Sequence, residues 1–165
     1  MSKVDKARLV YYNYSKVIVG VRCGNMAKDT TKIVEELKIC PDFKSFYNEN
    51  NEYMVKENLS AILEGLLKKY DLKKSQVIRA SEMSEVYAYQ IFSGHRTPER
   101  NKLLCLAIGM SLNLDEVQTL LKCAGYAPLY VKIPFDSIVL YGICKKLSVV
   151  EINEILFEYG LETMG

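Results

Sequence analysis

The sequence predicts an all-α protein, from its composition, from the period of its apolar residues and from the punctuation between them. Only 4 of the 165 residues are Pro and 9 are Gly, while Leu and Lys, both good helix formers, are abundant. From Asp29 onward apolar side chains recur at i, i+3 and i+4, the period of a half-buried helix. Polar breaks carrying capping residues or glycine separate the periodic stretches. At 49% hydrophobic and 25% charged, the chain has the balance of a globular domain, or of one domain with an appendage, large enough to bury a full core. No apolar run approaches the ~18 residues of a membrane span. Val17 to Val21 is too short and wrongly flanked for a signal peptide. The expected location is therefore the cytoplasm, with no membrane partner.

Residues 1–25 depart from the helical pattern. Leu9 to Tyr12 and Val17 to Val19 are β-prone, with a turn signal at Tyr14-Ser15-Lys16. This leader is either a short β-hairpin that docks on something else, since two strands alone are marginal, or disordered; a further alternative makes Met26 the natural start. The expected division of the rest is a helical extension at 26–57, a helix-turn-helix domain at 58–130 and a helical hairpin packed on it at 131–165. In the extension, Thr30 or Thr31 caps a helix through Lys38 that stops at Cys40-Pro41. Phe43, Phe46 and Tyr47 follow at helical spacing, and Asn48 to Asn51 form a polar break. Leu59, Ile62, Leu63, Leu66, Leu67 and Tyr70 then line one face of an amphipathic helix.

Leu72 to Pro98 is the most informative stretch. Val77, Ile78, Met83, Ala88 and Ile91 are spaced for two short helices crossing over a shared core, with a Phe-Ser-Gly stop at Gly94. This is the form of a helix-turn-helix, which sets its second helix in the DNA major groove. Thr97 and Pro98 suit the cap and first turn of a further helix whose inner face is Leu103, Leu104, Ala107 and Ile108. A weak repeat of period 35 follows. Leu114–Leu121 is echoed by Val149–Leu156, and Gly125 by Gly160 as a helix stop. Asn113 with Glu116, and Ser148 with Glu151, both have capping-box spacing. Helices at 98–110 and 114–124 are thus expected to be echoed at 135–146 and 149–159, with Ile152, Ile155, Leu156 and Tyr159 in the core.

Charge is uneven along the chain although the net is only +2. Residues 1–28 carry +5, residues 29–65 carry −4, residues 66–105 carry +4 and residues 106–165 carry −3. The second basic block coincides with the helix-turn-helix, as contact with phosphates requires. The five cysteines, Cys23, Cys40, Cys105, Cys123 and Cys144, are odd in number and contain no C-x-x-C, which excludes a zinc ribbon or redox pair and leaves buried free thiols as the expectation. His95 is the only histidine and stands beside Arg96 in a turn, with no local nucleophile motif. No Gly-rich phosphate loop occurs. No catalytic residue, cofactor or metal site is expected.

On these residues, 59–125 resembles the lambda-repressor-like, XRE-type helix-turn-helix family. The likeness lies in the amphipathic helix, the turn, the phrase Val86 to Pro98 (VYAYQIFSGHRTP), the Leu-rich helix after it and Asn113-Leu-Asp-Glu-Val117. It also is similar to a clostridial-type subgroup that continues through Ala127-Pro128-Leu129-Tyr130 into another helix pair. Two positions depart from the family. Ile78 stands where a small Ala is common, and Glu82 where Gly is common at the turn, so a wider turn is expected.

The resemblance implies that Ser84 opens the recognition helix, that Glu85, Val86, Tyr89 and Gln90 face outward, and that Ala88 and Ile91 are buried. Tyr87 is expected to pack against the preceding helix. Gln90 suits an adenine edge, Val86 a thymine methyl, Tyr89 a base or phosphate, and Glu85 a cytosine amino group. Ser84 and the helix N-terminus suit a phosphate, and Lys74, His95, Arg96, Arg100 and Lys102 are the backbone-contact candidates. The implied function is a sequence-specific regulator of transcription that binds double-stranded DNA as a homodimer. The alternative is a protein-binding adaptor on the same fold, favoured by Glu82, Glu85 and the acidic N-terminal and C-terminal helices.

Overall fold

The computed structural model describes residues 28–54 and 58–165. The expected β-hairpin or disordered leader, and the alternative start at Met26, lie outside the described residues. Those residues are all-helical, with α1 (Thr30–Ile39), α2 (Phe43–Asn50), a single 3₁₀ turn (Asn51–Tyr53), α3 (Leu59–Lys69), α4 (Lys74–Ala80), α5 (Glu85–Phe92), α6 (Arg100–Gly109), α7 (Leu114–Cys123), α8 (Pro134–Lys145) and α9 (Val149–Glu158).

Two caps differ from expectation. Asp29, not Thr30 or Thr31, caps α1 by accepting from the Thr31 amide at 3.1 Å. At α6 the cap position is Glu99 and not Thr97, and the helix begins at Arg100. Pro98 is left outside the helix, and the Tyr126 hydroxyl donates to its carbonyl at 2.6 Å. The polar break at Asn48 to Asn51 is also partly helical. Asn50 ends α2 fully buried, donating to the Phe46 carbonyl at 3.1 Å and accepting from Lys28 Nζ at 2.8 Å. A buried amide with both sides satisfied costs little, so the helix runs on.

Five helices, α3, α6, α7, α8 and α9, end by one device. Asp71, Ser111, Gly125, Lys146 and Gly160 all have φ between 50° and 77°. The next residue, Leu72, Leu112, Tyr126, Leu147 or Leu161, turns its amide back to a carbonyl five residues earlier, at 2.8 to 3.1 Å. This is the Schellman closure, which satisfies two terminal carbonyls and tucks an apolar side chain under the helix end. The period-35 echo is therefore structural. Ser111 and Lys146 occupy the same left-handed position, and capping boxes are complete at Asn113/Glu116 and at Ser148/Glu151. Each cap contributes about 1 kcal/mol.

One core runs from Ile62 on α3 to Met164 near the C-terminus. Its axis is α6, where Leu103, Leu104, Cys105, Leu106 and Ala107 are all buried. The expected one-sided face is replaced by burial all round, because α4, α7 and α9 pack on different sides of this helix. The close approach of α6 to α4 needs Gly109, where a Cβ would lie 2.9 Å from the Val77 carbonyl. Likewise a Cβ on Gly142 of α8 would stand 2.4 Å from Ile152 on α9. Ile152 and Leu156 are buried as expected, but Tyr159 is exposed at the end of α9 and Ile155 is only half-buried. The thiols also differ from expectation. Cys40, Cys105 and Cys144 are free but only Cys105 is buried, and Cys123 is disulfide-bonded.

Candidate nucleic-acid interface

The candidate surface is built on α4, a turn and α5. Val77 and Ile78 anchor α4, and Ala88, Ile91 and Phe92 anchor α5, all buried. The two helices are joined by Ser81, Glu82 and Met83, with Ser84 as the cap of α5. The turn is not widened to suit Glu82. Instead Glu82 takes the left-handed conformation itself, at φ 52°. A non-glycine residue there costs about 1–2 kcal/mol. Ser81 compensates locally, fully buried, with its hydroxyl donating to the Ile78 carbonyl at 2.8 Å. Ile78 is itself 1% exposed, so the larger side chain is accommodated by the core.

With the inner face of α5 fixed, the opposite face is solvent-exposed. Glu85, Val86, Tyr89 and Gln90 are all exposed, Val86 at 72% and Tyr89 at 47%. Ser84 is exposed as well, and its hydroxyl accepts from the Tyr87 amide at 3.4 Å. Tyr87 is half-buried against the core, as expected, and the Arg96 guanidinium lies 4.7 Å from the centre of its ring. That stacking holds an exposed cation beside the first turn of α5. His95 sits beside it, exposed, with Nδ1 at 2.7 Å from the Ser93 hydroxyl.

Three of the expected backbone-contact cations are placed otherwise. Lys74 is ion-paired with Glu64 of α3 and lies 5.0 Å from the Phe92 ring centre. Arg100 is held by Asp136, with Nη1 to Oδ1 and Nη2 to Oδ2 both at 2.9 Å, and its Nε donates to the Ala127 carbonyl at 3.1 Å. Asp136 is 2% exposed and also accepts from the Tyr130 amide at 2.9 Å. A carboxylate so buried requires its cation, so Arg100 is a structural joint between α6 and the C-terminal hairpin and is withdrawn from the contact set. Lys102 is half-buried on α6. Sequence reasoning overlooked Lys73 and Arg79, exposed at the two ends of α4 and in no ion pair among the described residues. Their signal was the basic block itself, in which Lys73 and Lys74 are adjacent and only pairing separates their roles.

A second polar cluster joins the end of α3 to α7. Glu116 is 3% exposed, accepts from Lys69 Nζ at 2.8 Å and from the Asn113 amide at 3.0 Å, and is hydrogen-bonded by the Tyr70 hydroxyl. Burial raises its pKa, but the bonds from Lys69, Tyr70 and Asn113 outweigh that and hold the carboxyl below its ordinary value. Tyr70 is raised by burial and by Glu116. These groups satisfy one another, with Glu116 buried and Lys69 and Tyr70 at the surface. The Cys105 thiol is pushed up to about 11 by burial, so it is not a thiolate near neutrality.

No group of three His, Cys, Asp or Glu able to hold a metal ion occurs among the described residues. No helix among them is long and apolar enough to cross a membrane. No protein-family model, curated protein or solved structure matches the chain.

Proposed function

We propose that residues 59–125 form a lambda-repressor-like helix-turn-helix domain and that the chain is a sequence-specific regulator binding double-stranded DNA through α5. The observation that carries this is the division of α5. Ala88, Ile91 and Phe92 lock it to the body while Glu85, Val86, Tyr89 and Gln90 stand free in a row. A rigid helix presenting a mixed amide, aromatic and aliphatic edge matches direct readout in the major groove. Gln90 pairs with an adenine edge and Val86 meets a thymine methyl. Arg96, His95 and Ser84, joined by Lys73 and Arg79, contact phosphates. A homodimer would place two α5 helices about 34 Å apart on successive major grooves.

A second function, a protein-binding adaptor, is favoured by particular observations. Glu82 and Glu85 are exposed beside Val86 and Tyr89, and Lys74 and Arg100 are neutralised by Glu64 and Asp136. An apolar and acidic face suits a basic or aromatic protein surface better than a polyanion.

Salt dependence separates the two. With duplex DNA selected from a random pool, affinity should fall steeply with salt. Arg96→Ala should weaken every duplex alike and reduce the slope by about 1, while Gln90→Ala should relax preference at one base pair. Salt-independent binding, or no selection of any duplex, would transfer α5 to the adaptor function.

A further inference from the structure

Residues 124–133 connect α7 to α8, and from Tyr126 onward they are pinned to the stretch that follows α5. The Tyr126 hydroxyl donates to the Pro98 carbonyl at 2.6 Å, and Arg100 Nε donates to the Ala127 carbonyl at 3.1 Å. Pro98 and Arg100 stand two and four residues past Arg96. The Gln118 side chain takes both backbone groups of the buried Leu129, donating to its carbonyl at 2.9 Å and accepting from its amide at 2.7 Å. The Tyr130 amide donates to Asp136 at 2.9 Å, and the Ile133 amide donates to the Tyr130 carbonyl at 2.9 Å, closing a four-residue turn. Val131 and Lys132 are the tip of that turn. Val131 is 64% exposed, and Lys132 is exposed and in no ion pair among the described residues. The bonds that fix the turn are made by its backbone, so the Lys132 side chain has no part in holding it.

We propose that this turn extends the DNA interface beyond the helix-turn-helix, with Lys132 binding a backbone phosphate next to the one that Arg96 holds. The inference rests on α5 being the DNA-binding helix. Three observations carry it. The first is continuity. The turn belongs to a segment bonded to Pro98 and Arg100, so it adjoins the stretch that bears His95 and Arg96. The second is charge. Residues 117–135 contain Lys122 and Lys132 and no carboxylate, and the Asp136 that follows is neutralised by Arg100. Glu99 is the one carboxylate between residues 86 and 114; it is exposed, and Arg96 and Lys132 outnumber it. A seam with that balance attracts a polyanion. The third is rigidity. A lysine on a turn that is already ordered loses only its own side-chain freedom on binding. Arg100, withdrawn from phosphate contact by Asp136, holds in place the segment that carries Lys132.

The test uses the full chain and a duplex selected from a random pool. Lys132→Ala should lower the slope of log affinity against log salt by about 1 between roughly 50 and 200 mM, and Lys132→Arg should keep the original slope. Backbone phosphates replaced one at a time by neutral methylphosphonates should show one position that weakens the unsubstituted chain but not Lys132→Ala. That position should neighbour the one to which Arg96→Ala becomes insensitive. If Arg96→Ala lowers the slope and Lys132→Ala does not, the extension is overturned while α5 keeps its DNA. If the unsubstituted chain binds no duplex in a salt-dependent way, α5 is not a DNA-binding helix and Lys132 has no phosphate to meet. An unchanged slope in Lys132→Ala together with a changed sedimentation coefficient in Val131→Asp overturns the proposal and assigns the turn to a protein contact.

Discussion

Two helices of this protein show apolar side chains to solvent, and they do so for opposite reasons. On α5, Val86 and Tyr89 are exposed while Ala88, Ile91 and Phe92 are held in the core. On α1, Val34, Leu37 and Ile39 are exposed and nothing is buried. An exposed side chain on an anchored helix costs no order, since the helix stands whether or not a partner arrives. An exposed apolar face on an unanchored helix leaves the helix without the burial that would hold it. The first arrangement is what a recognition surface needs, and the second leaves the helix dependent on its packing against α2.

The contrast predicts a separation of mutational effects. Ile91→Ala should be the most damaging, lowering unfolding free energy by about 3–4 kcal/mol in denaturant titration, because it empties a fully packed site. The same truncation at Ile39, which is 83% exposed, should cost under about 0.5 kcal/mol; a loss of several times that would show that the side chain is buried in solution. Arg100→Ala should follow at about 3 kcal/mol, chiefly because Asp136 is left charged and buried. If Arg100→Ala instead left stability intact and reduced only DNA affinity, its place as a joint would be wrong.

Acid should expose the next difference. The Glu116 carboxyl has its pKa lowered in the folded protein, below the ordinary 4.5. Its stabilisation is present above the unfolded value and is lost as pH falls through the folded one. Stability should therefore decline below about pH 4.5, and the decline should flatten in Glu116→Gln, which starts lower by about 2 kcal/mol at neutral pH. An unchanged acid profile in that variant would remove Glu116 from the account. The smallest effect should be a gain. Glu82→Gly relieves a left-handed residue and should add about 0.5–1 kcal/mol, net of the extra freedom of glycine in the unfolded chain.

Much of α3 to α9 was legible from residues close together in the chain. Apolar spacing located the helices, and residues three apart announced both capping boxes, Asn113/Glu116 and Ser148/Glu151. The inward Ala88 and Ile91 followed the apolar spacing, and the outward Glu85, Val86, Tyr89 and Gln90 followed from the family resemblance. The cap of α6 was misplaced because Thr97-Pro98 has the right residue types, while the Pro98 carbonyl is taken by the hydroxyl of Tyr126, 28 residues away. The one-sided face expected for α6 failed for a similar reason, since period cannot tell how many neighbours a helix has.

The sequence by itself therefore determined the helical class, the stops between helices and the outward edge of α5, because each depends on backbone geometry repeating over a few residues. Only the tertiary structure decided which cations remain available. Lys74 and Arg100 are as basic in the sequence as Lys73 and Arg96, but Glu64 and Asp136 reach them from 10 and 36 residues away. Coulomb attraction between side chains depends on separation in space, and that separation exists only once the helices have packed.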